Sequence, residues 1–102
     1  MPKTREIVSG GHIEPMTASL PEISSVSWST FMTGKNPGGH GIFGFTDFKD
    51  SSYGLRYPSF RDLKSPTIWD ILGDHRLKSV VINQPATYPA RAIPGVLISG
   101  FV

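Results

Sequence analysis

The segment Pro21 to Ile42, PEISSVSWSTFMTGKNPGGHGI, puts the tightest bound on what this chain can fold into. Ser24 and Ser25 precede an apolar pattern of Val26, Trp28, Phe31 and Met32, which can line one side of a helix of about three turns. Thr33-Gly34 ends that pattern, and Asn36-Pro37-Gly38-Gly39 forbids its continuation. The reading is a short helix held between two loops, with a serine as its cap. The first turn of such a helix leaves backbone N–H groups unpaired, and aligned peptide dipoles put roughly half a positive charge there. A phosphate oxygen fits that end, and a hydroxyl placed on it is an exposed nucleophile.

A chain of 102 residues allows one small domain with one core. With 38% hydrophobic and 18% charged residues the composition is globular, and 11 Gly and 9 Pro predict short elements joined by long loops. A net charge of +2 without any block of like charges gives no reason to expect nucleic acid as a partner. The absence of cysteine excludes disulfides, thiolate zinc sites and cysteine nucleophiles. No run reaches the roughly 18 apolar residues of a membrane span, and the N-terminus lacks a signal-peptide core. The expectation is a soluble, cytoplasmic protein.

Residues Thr4 to Val8 predict a short helix stopped by Gly10-Gly11, and His12 to Thr17 a strand. Thr46 to Lys64 shows no sustained period and reads as a long ordered loop, a length that usually signals function or an insertion. Ser65-Pro66 predicts a second helix, with Ile68, Trp69, Ile71 and Leu72 on its apolar side and Gly73 at its end. Lys78 to Asn83 carries the β-branched run Val80-Val81-Ile82 and reads as a strand buried on both faces, as in a parallel sheet. Gln84 to Gly95, broken by prolines at 85, 89 and 94, is then a loop at the carboxyl edge of that strand, where open α/β sheets bind ligands. Val96-Leu97-Ile98 begins a further apolar run, and the abrupt end at Val102 suggests a fragment.

Pro21-x-x-Ser24, Trp28-Ser29-Thr30-Phe31-x-Thr33-Gly34 and Asn36-Pro37-Gly38-x-His40-Gly41-Ile42 together resemble the alkaline phosphatase superfamily. The resemblance is to its type I phosphodiesterase and nucleotide pyrophosphatase branch, in particular to microbial members described as phosphohydrolases or phosphomutases. It covers most of the chain. It implies an α/β fold, here a partial alkaline-phosphatase-like sheet with flanking short helices and long loops. Residues 1–102 form a single partial domain on this reading, holding the nucleophile segment 21–42 and a helix-strand unit 65–83.

In that family the hydroxyl residue three positions after the proline and nine before the threonine of the Thr-Gly pair is the nucleophile. That residue is Ser24. The resemblance implies a covalent phosphoserine intermediate, a phosphate-ester small molecule as substrate, and two divalent metal ions, usually zinc, one of them touching the Ser24 oxygen. It also implies phosphate-oxygen donors from the backbone of Ser25 and Val26, and candidate substrate contacts at Tyr88 and Arg91 in the loop after the strand. A serine hydroxyl is a poor nucleophile near neutral pH and needs a base or a metal, and two cations roughly 4 Å apart can hold both the attacking and leaving oxygens. Pro66-Thr67-Ile68-Trp69 resembles the Pro-x-Trp helix that follows in the family.

The pattern also departs from the family. The N-terminal strand ending in a metal-binding Asp is missing, and His12, His40 and His75 are scattered without metal-ligand spacing. The chain alone is therefore expected to assemble no metal centre. Phe45 stands where nucleotide pyrophosphatases carry an Asn that holds a phosphate oxygen, and a phenylalanine cannot donate that bond. Phosphomutase and sulfatase chemistry fit the same site. A catalytically inactive fragment or interaction module is the rival from another class, and oligomeric state stays open.

Plainer roles stand beside these. Ser24 can be an N-cap as well as a nucleophile. His40 reads as holding a turn, Trp28 and Trp69 as core anchors, Asp70 and Asp74 as a solvated face near a helix end, and Glu22 as a surface residue. Thr33-Gly34-Lys35 is no phosphate loop, because Ser29 replaces the first glycine and Asn36 the final hydroxyl residue.

Overall fold

The structure, a computed structural model, describes residues 1–49 and 51–100. Nine elements follow in chain order: α1 (Pro2–Ser9), α2 (Ser24–Thr33), α3 (Pro37–His40), β1 (Asp47–Phe48), β2 (Leu55–Arg56), a 3-10 turn (Phe60–Asp62), α4 (Ile68–Asp74), β3 (Ser79–Gln84) and β4 (Gly95–Ser99). The fold class is mixed α/β, as the sequence predicts. The predicted strand over 12–17 does not form. Those residues are exposed and meet no partner strand, and an isolated strand leaves its backbone groups unpaired.

Helix α2 begins one residue earlier than a serine cap requires. Ile23, with φ −119° and ψ 134°, is the N-cap, and its carbonyl accepts the first helical bond from Ser27 N–H at 2.9 Å. Ser24 is thus the first helical residue and caps nothing. The buried stripe also differs from the predicted one: Val26, Ser29, Met32 and Thr33 face inward, whereas Phe31 is 71% exposed. Ser29 belongs to the packed side despite its hydroxyl, and this hides the stripe from a hydropathy reading. At the other end Gly34 adopts the left-handed conformation (φ 65°) and donates to Thr30 C=O at 2.8 Å. The Thr33 hydroxyl donates to Ser29 C=O at 2.6 Å, and Lys35 N–H donates to that hydroxyl at 3.2 Å, so the Thr-Gly pair closes the helix.

Within 46–64, read as a loop, a short hairpin forms: β1 pairs antiparallel with β2. Strands this short, with no alternation behind them, leave no periodic signal. Arg56 ties the hairpin to the 3-10 turn by bonding Asp47 at 3.0 Å and also Asp62. Asp62 in turn accepts from Ser59 N–H at 2.7 Å and from the Ser59 hydroxyl at 3.0 Å.

The second predicted helix starts at Thr67 as N-cap, not at Ser65-Pro66, and continues through Gly73 to Asp74. Asp70 is not a solvated carboxylate. It sits in the first turn of α4, where it accepts from Thr67 N–H at 2.7 Å and Thr67 Oγ1 at 2.6 Å, and binds Arg91. A negative side chain there also complements the positive helix end. Gly73 lies within this helix and leaves room for Pro94: a Cβ on Gly73 would come within 2.5 Å of the Pro94 ring.

Strands β3 and β4 pair in parallel, with Val80 beside Val96, Val81 beside Leu97 and Ile82 beside Ile98. The expected burial of both faces does not hold among the described residues. Val81 and Leu97 pack on the core, while Val80 and Ile82 are 70% and 64% exposed. The strand was legible; the coverage of its second face is a tertiary matter. The core itself is Met32, Phe60 and Trp69, flanked by Leu63, Val81, Ala86, Ile93 and Leu97. It joins α2, the 3-10 turn, α4 and the sheet at one point.

Candidate functional site

A cavity of about 480 Å³ opens between the start of α2, the segment 42–45, the 3-10 turn with its approach, and the loop leaving β3. Each wall has an identifiable cause. Helix α2 is seated by its buried face and presents Ser24, Ser25, Trp28 and Ser29 to the cavity. The 42–45 wall hangs on His40, whose side chain is fully buried. His40 Nδ1 accepts Ile42 N–H at 3.1 Å, and Nε2 meets Thr30 Oγ1 at 3.1 Å. Because Nδ1 accepts, the ring proton sits on Nε2 and donates to Thr30. Burial lowers the His40 pKa from its ordinary value, in keeping with a neutral ring. Lys64 N–H donates to His40 C=O at 2.9 Å and the Ser65 hydroxyl to Gly39 C=O at 2.8 Å, docking the whole turn. The turn-holding role read for His40 is what the geometry shows.

The fourth wall depends on Thr87, which is fully buried. Its hydroxyl donates to Gln84 C=O at 2.6 Å and accepts Gly100 N–H at 3.1 Å, clamping the loop to the ends of both strands. Phe60 N–H donates to Tyr88 C=O at 2.9 Å, which joins the 3-10 turn to the same loop. Pro85, Ala86 and Tyr88 consequently line the cavity at the carboxyl edge of β3.

Ser24, Ser25 and Tyr88 all line this one cavity. Ser24 is exposed at the first position of α2. The first helical bond closes only at Ser27, so the N–H groups of Ser24, Ser25 and Val26 precede the hydrogen-bond ladder. The Ser25 hydroxyl is buried and has no hydrogen-bond partner among the described residues. The Val26 side chain is fully buried, and Val26 is not among the residues that line the cavity.

Arg91 lies elsewhere. Its guanidinium binds Asp70 and stands 4.3 Å over the Phe60 ring, in a separate shallow recess with Arg61 and Pro89. Phe60 thus separates Arg91 from the cavity that holds Ser24. Trp69 is 5% exposed and anchors the core, but Trp28 is 38% exposed, stacks edge-on with Phe31 and lines the cavity instead. Tyr57, Ser59 and Phe60 also line it and were not foreseen, because they sit in the stretch without periodicity. Their one sequence signal is the density of aromatics between Phe43 and Phe60.

The donor set does not fit a metal pair. Among the described residues no group of three or more His, Asp or Glu side chains stands close enough to hold an ion. Among the described residues, the only ionisable groups that line the cavity are the phenols of Tyr57 and Tyr88. Glu22, two positions before Ser24, is exposed and is not among the residues lining it.

A serine-bearing helix start thus stands beside an aromatic cavity at the carboxyl edge of parallel strands in an α/β protein. The chain belongs to the type I phosphodiesterase / nucleotide pyrophosphatase family, whose model matches residues 1–97. That places it among phosphoester hydrolases of the alkaline phosphatase superfamily, which act on phosphate esters. No curated protein and no solved structure matches the chain significantly. Among the described residues no helix is long and apolar enough to cross a membrane.

Proposed function

We propose that Ser24 is the nucleophile of a phosphoester or phosphodiester hydrolase. In that reaction the Ser24 oxygen forms a bond to phosphorus, the ester P–O bond breaks, and the alcohol departs with a proton. Water then cleaves the phosphoserine, restoring the hydroxyl and releasing phosphate from a monoester or a monoester from a diester. The observation that carries this reading is that Ser24 is spared the capping role: Ile23 starts the helix, so the Ser24 hydroxyl remains free at a positive helix end beside the cavity. The amides of Ser25 and Val26 suit the non-bridging oxygens of the phosphorus centre. Two zinc ions are the activating group that the family implies. Among the described residues no cluster of His, Asp or Glu would hold them.

Phosphate titration of the isotopically labelled chain, followed by amide NMR, tests the reading. Inorganic phosphate should shift the amides of Ser24, Ser25 and Val26 together and saturably. Ser24→Pro should abolish that response without unfolding the chain, because Ile23 already has the extended backbone that precedes proline and proline suits the first helical position. Phosphate shifts confined to other segments, or an unchanged response in Ser24→Pro, would rule the site out.

A further inference from the structure

We propose that the cavity beside Ser24 selects phosphate esters with an apolar aryl or alkyl group, and rejects sugar phosphates and nucleotide pyrophosphates. This rests on the reading of Ser24 as the residue that meets phosphorus, and adds what stands on the other side of the ester oxygen.

Desolvation sets the selectivity. Trp28, Phe45, Tyr57 and Tyr88 supply broad apolar surfaces around the opening, and Ile42 and Leu63 supply aliphatic ones. Among the described residues that line it there is no Lys, Arg, His, Asp, Glu, Asn or Gln. A pyrophosphate would bring a further phosphate charge into this space with no cationic side chain among those residues to meet it, and an uncompensated charge in apolar surroundings is strongly disfavoured. The Arg91 guanidinium is committed to Asp70 and to the Phe60 ring. Sugar hydroxyls fare little better, because the polar side chains available are the serines at the α2 end, Ser59 and the two phenols. Each sugar hydroxyl left unpaired forfeits its hydrogen bonds to water. An aryl or alkyl group loses nothing on entry and gains contact with the aromatic walls.

Ser24, Ser25 and Ser29 of α2 line the same cavity as Phe45, Tyr57 and Tyr88, and the Ser25 hydroxyl is buried without a partner among the described residues. A lining of hydroxyls and aromatic rings suits an amphipathic ester with one charged end. Phe45 is the specificity residue most open to test, being 57% exposed and thus replaceable without loss of the core.

The test compares 1-naphthyl phosphate, glycerol phosphate and ADP as ligands of the full chain, by amide NMR and by Trp28 fluorescence. The expected result is that 1-naphthyl phosphate binds at least ten-fold more tightly than either competitor and shifts Ser25, Val26 and Tyr88. Phe45→Asn and Tyr57→Ser should each reduce the preference for 1-naphthyl phosphate over glycerol phosphate three-fold or more, and two separate variants guard against one failing to fold. Equal or tighter binding of glycerol phosphate or ADP, with shifts at Ser25 and Val26, would overturn the apolar selectivity and leave the Ser24 reading standing. Binding of 1-naphthyl phosphate that bypasses Ser25 and Val26 would overturn both.

Discussion

His40 Nδ1 accepts the amide proton of Ile42 at 3.1 Å, and this one bond couples the protonation state of a buried ring to the wall of the cavity. A second proton on the ring would point at the Ile42 N–H. The folded His40 therefore resists protonation, and burial lowers its pKa below the ordinary 6.5. As pH falls through about 6.5 the unfolded chain takes up the proton first, so stability present above that value declines toward the lower folded pKa. Denaturant unfolding at pH 7.5 and pH 5.5 should show a lower midpoint at the acidic pH, and His40→Gln should flatten that difference. A pH difference retained in full by His40→Gln would place its origin elsewhere.

Asp62 gives a second, more acidic window. Burial opposes its charge, but Ser59 N–H, the Arg56 guanidinium and the Ser59 hydroxyl together hold its pKa below the ordinary 3.8. Its contribution is therefore complete above that value and lost as pH falls below it. Asp62→Asn should cost roughly 1–2 kcal/mol at pH 7, the size of a lost cap and a charge-assisted bond, and almost nothing at the acid end. Urea unfolding curves of both proteins across that range provide the comparison.

Much of this was legible in local chemistry, and the misses share a cause. The helix over 24–33 and the parallel strand over 79–84 announce themselves through Gly34 and the run Val80-Val81-Ile82. The helix starts lie a residue or two from the expected ones, because Ser24 and Ser65 look like caps while the chain uses Ile23 and Thr67. Trp28 has an apolar sequence neighbourhood, which points to the core; its place at a cavity depends on Tyr57 and Tyr88, which lie far along the chain. The Arg91–Asp70 pair spans 21 positions and leaves no mark in either neighbourhood.

Two glycines with positive φ should respond differently to alanine. Gly34 ends α2 in open space, so Gly34→Ala meets only the left-handed backbone cost of about 1 kcal/mol. Gly95 (φ 132°) opens β4 against Ser79, where a Cβ would lie 1.9 Å from the Ser79 carbonyl oxygen. Gly95→Ala should cost roughly 2–4 kcal/mol and loosen the β3–β4 pairing. Thermal unfolding ranks the two, and amide exchange at Val80 to Ile82 reports the pairing.

Met32 is fully buried at the meeting point of α2 with Phe60 and Trp69. Met32→Ala should cost about 2–5 kcal/mol through lost burial and the cavity left behind, a severe loss for so small a core. Calorimetry of the variant beside Phe31→Ala, which removes an exposed ring, separates core packing from general helix weakening.

The central claim is that Ser24 offers an open nucleophile on a positive helix end, and Ser24→Cys reads it without any metal. Thiols at helix starts ionise more readily than the ordinary pKa near 8.5, and Ser24 is exposed enough that desolvation does not reverse this. The pH dependence of iodoacetamide alkylation measures that ionisation directly. The account predicts a thiol pKa of about 7.5–8, with alkylation slowed by inorganic phosphate. A pKa at or above that of a free cysteine, with alkylation indifferent to phosphate, would contradict it.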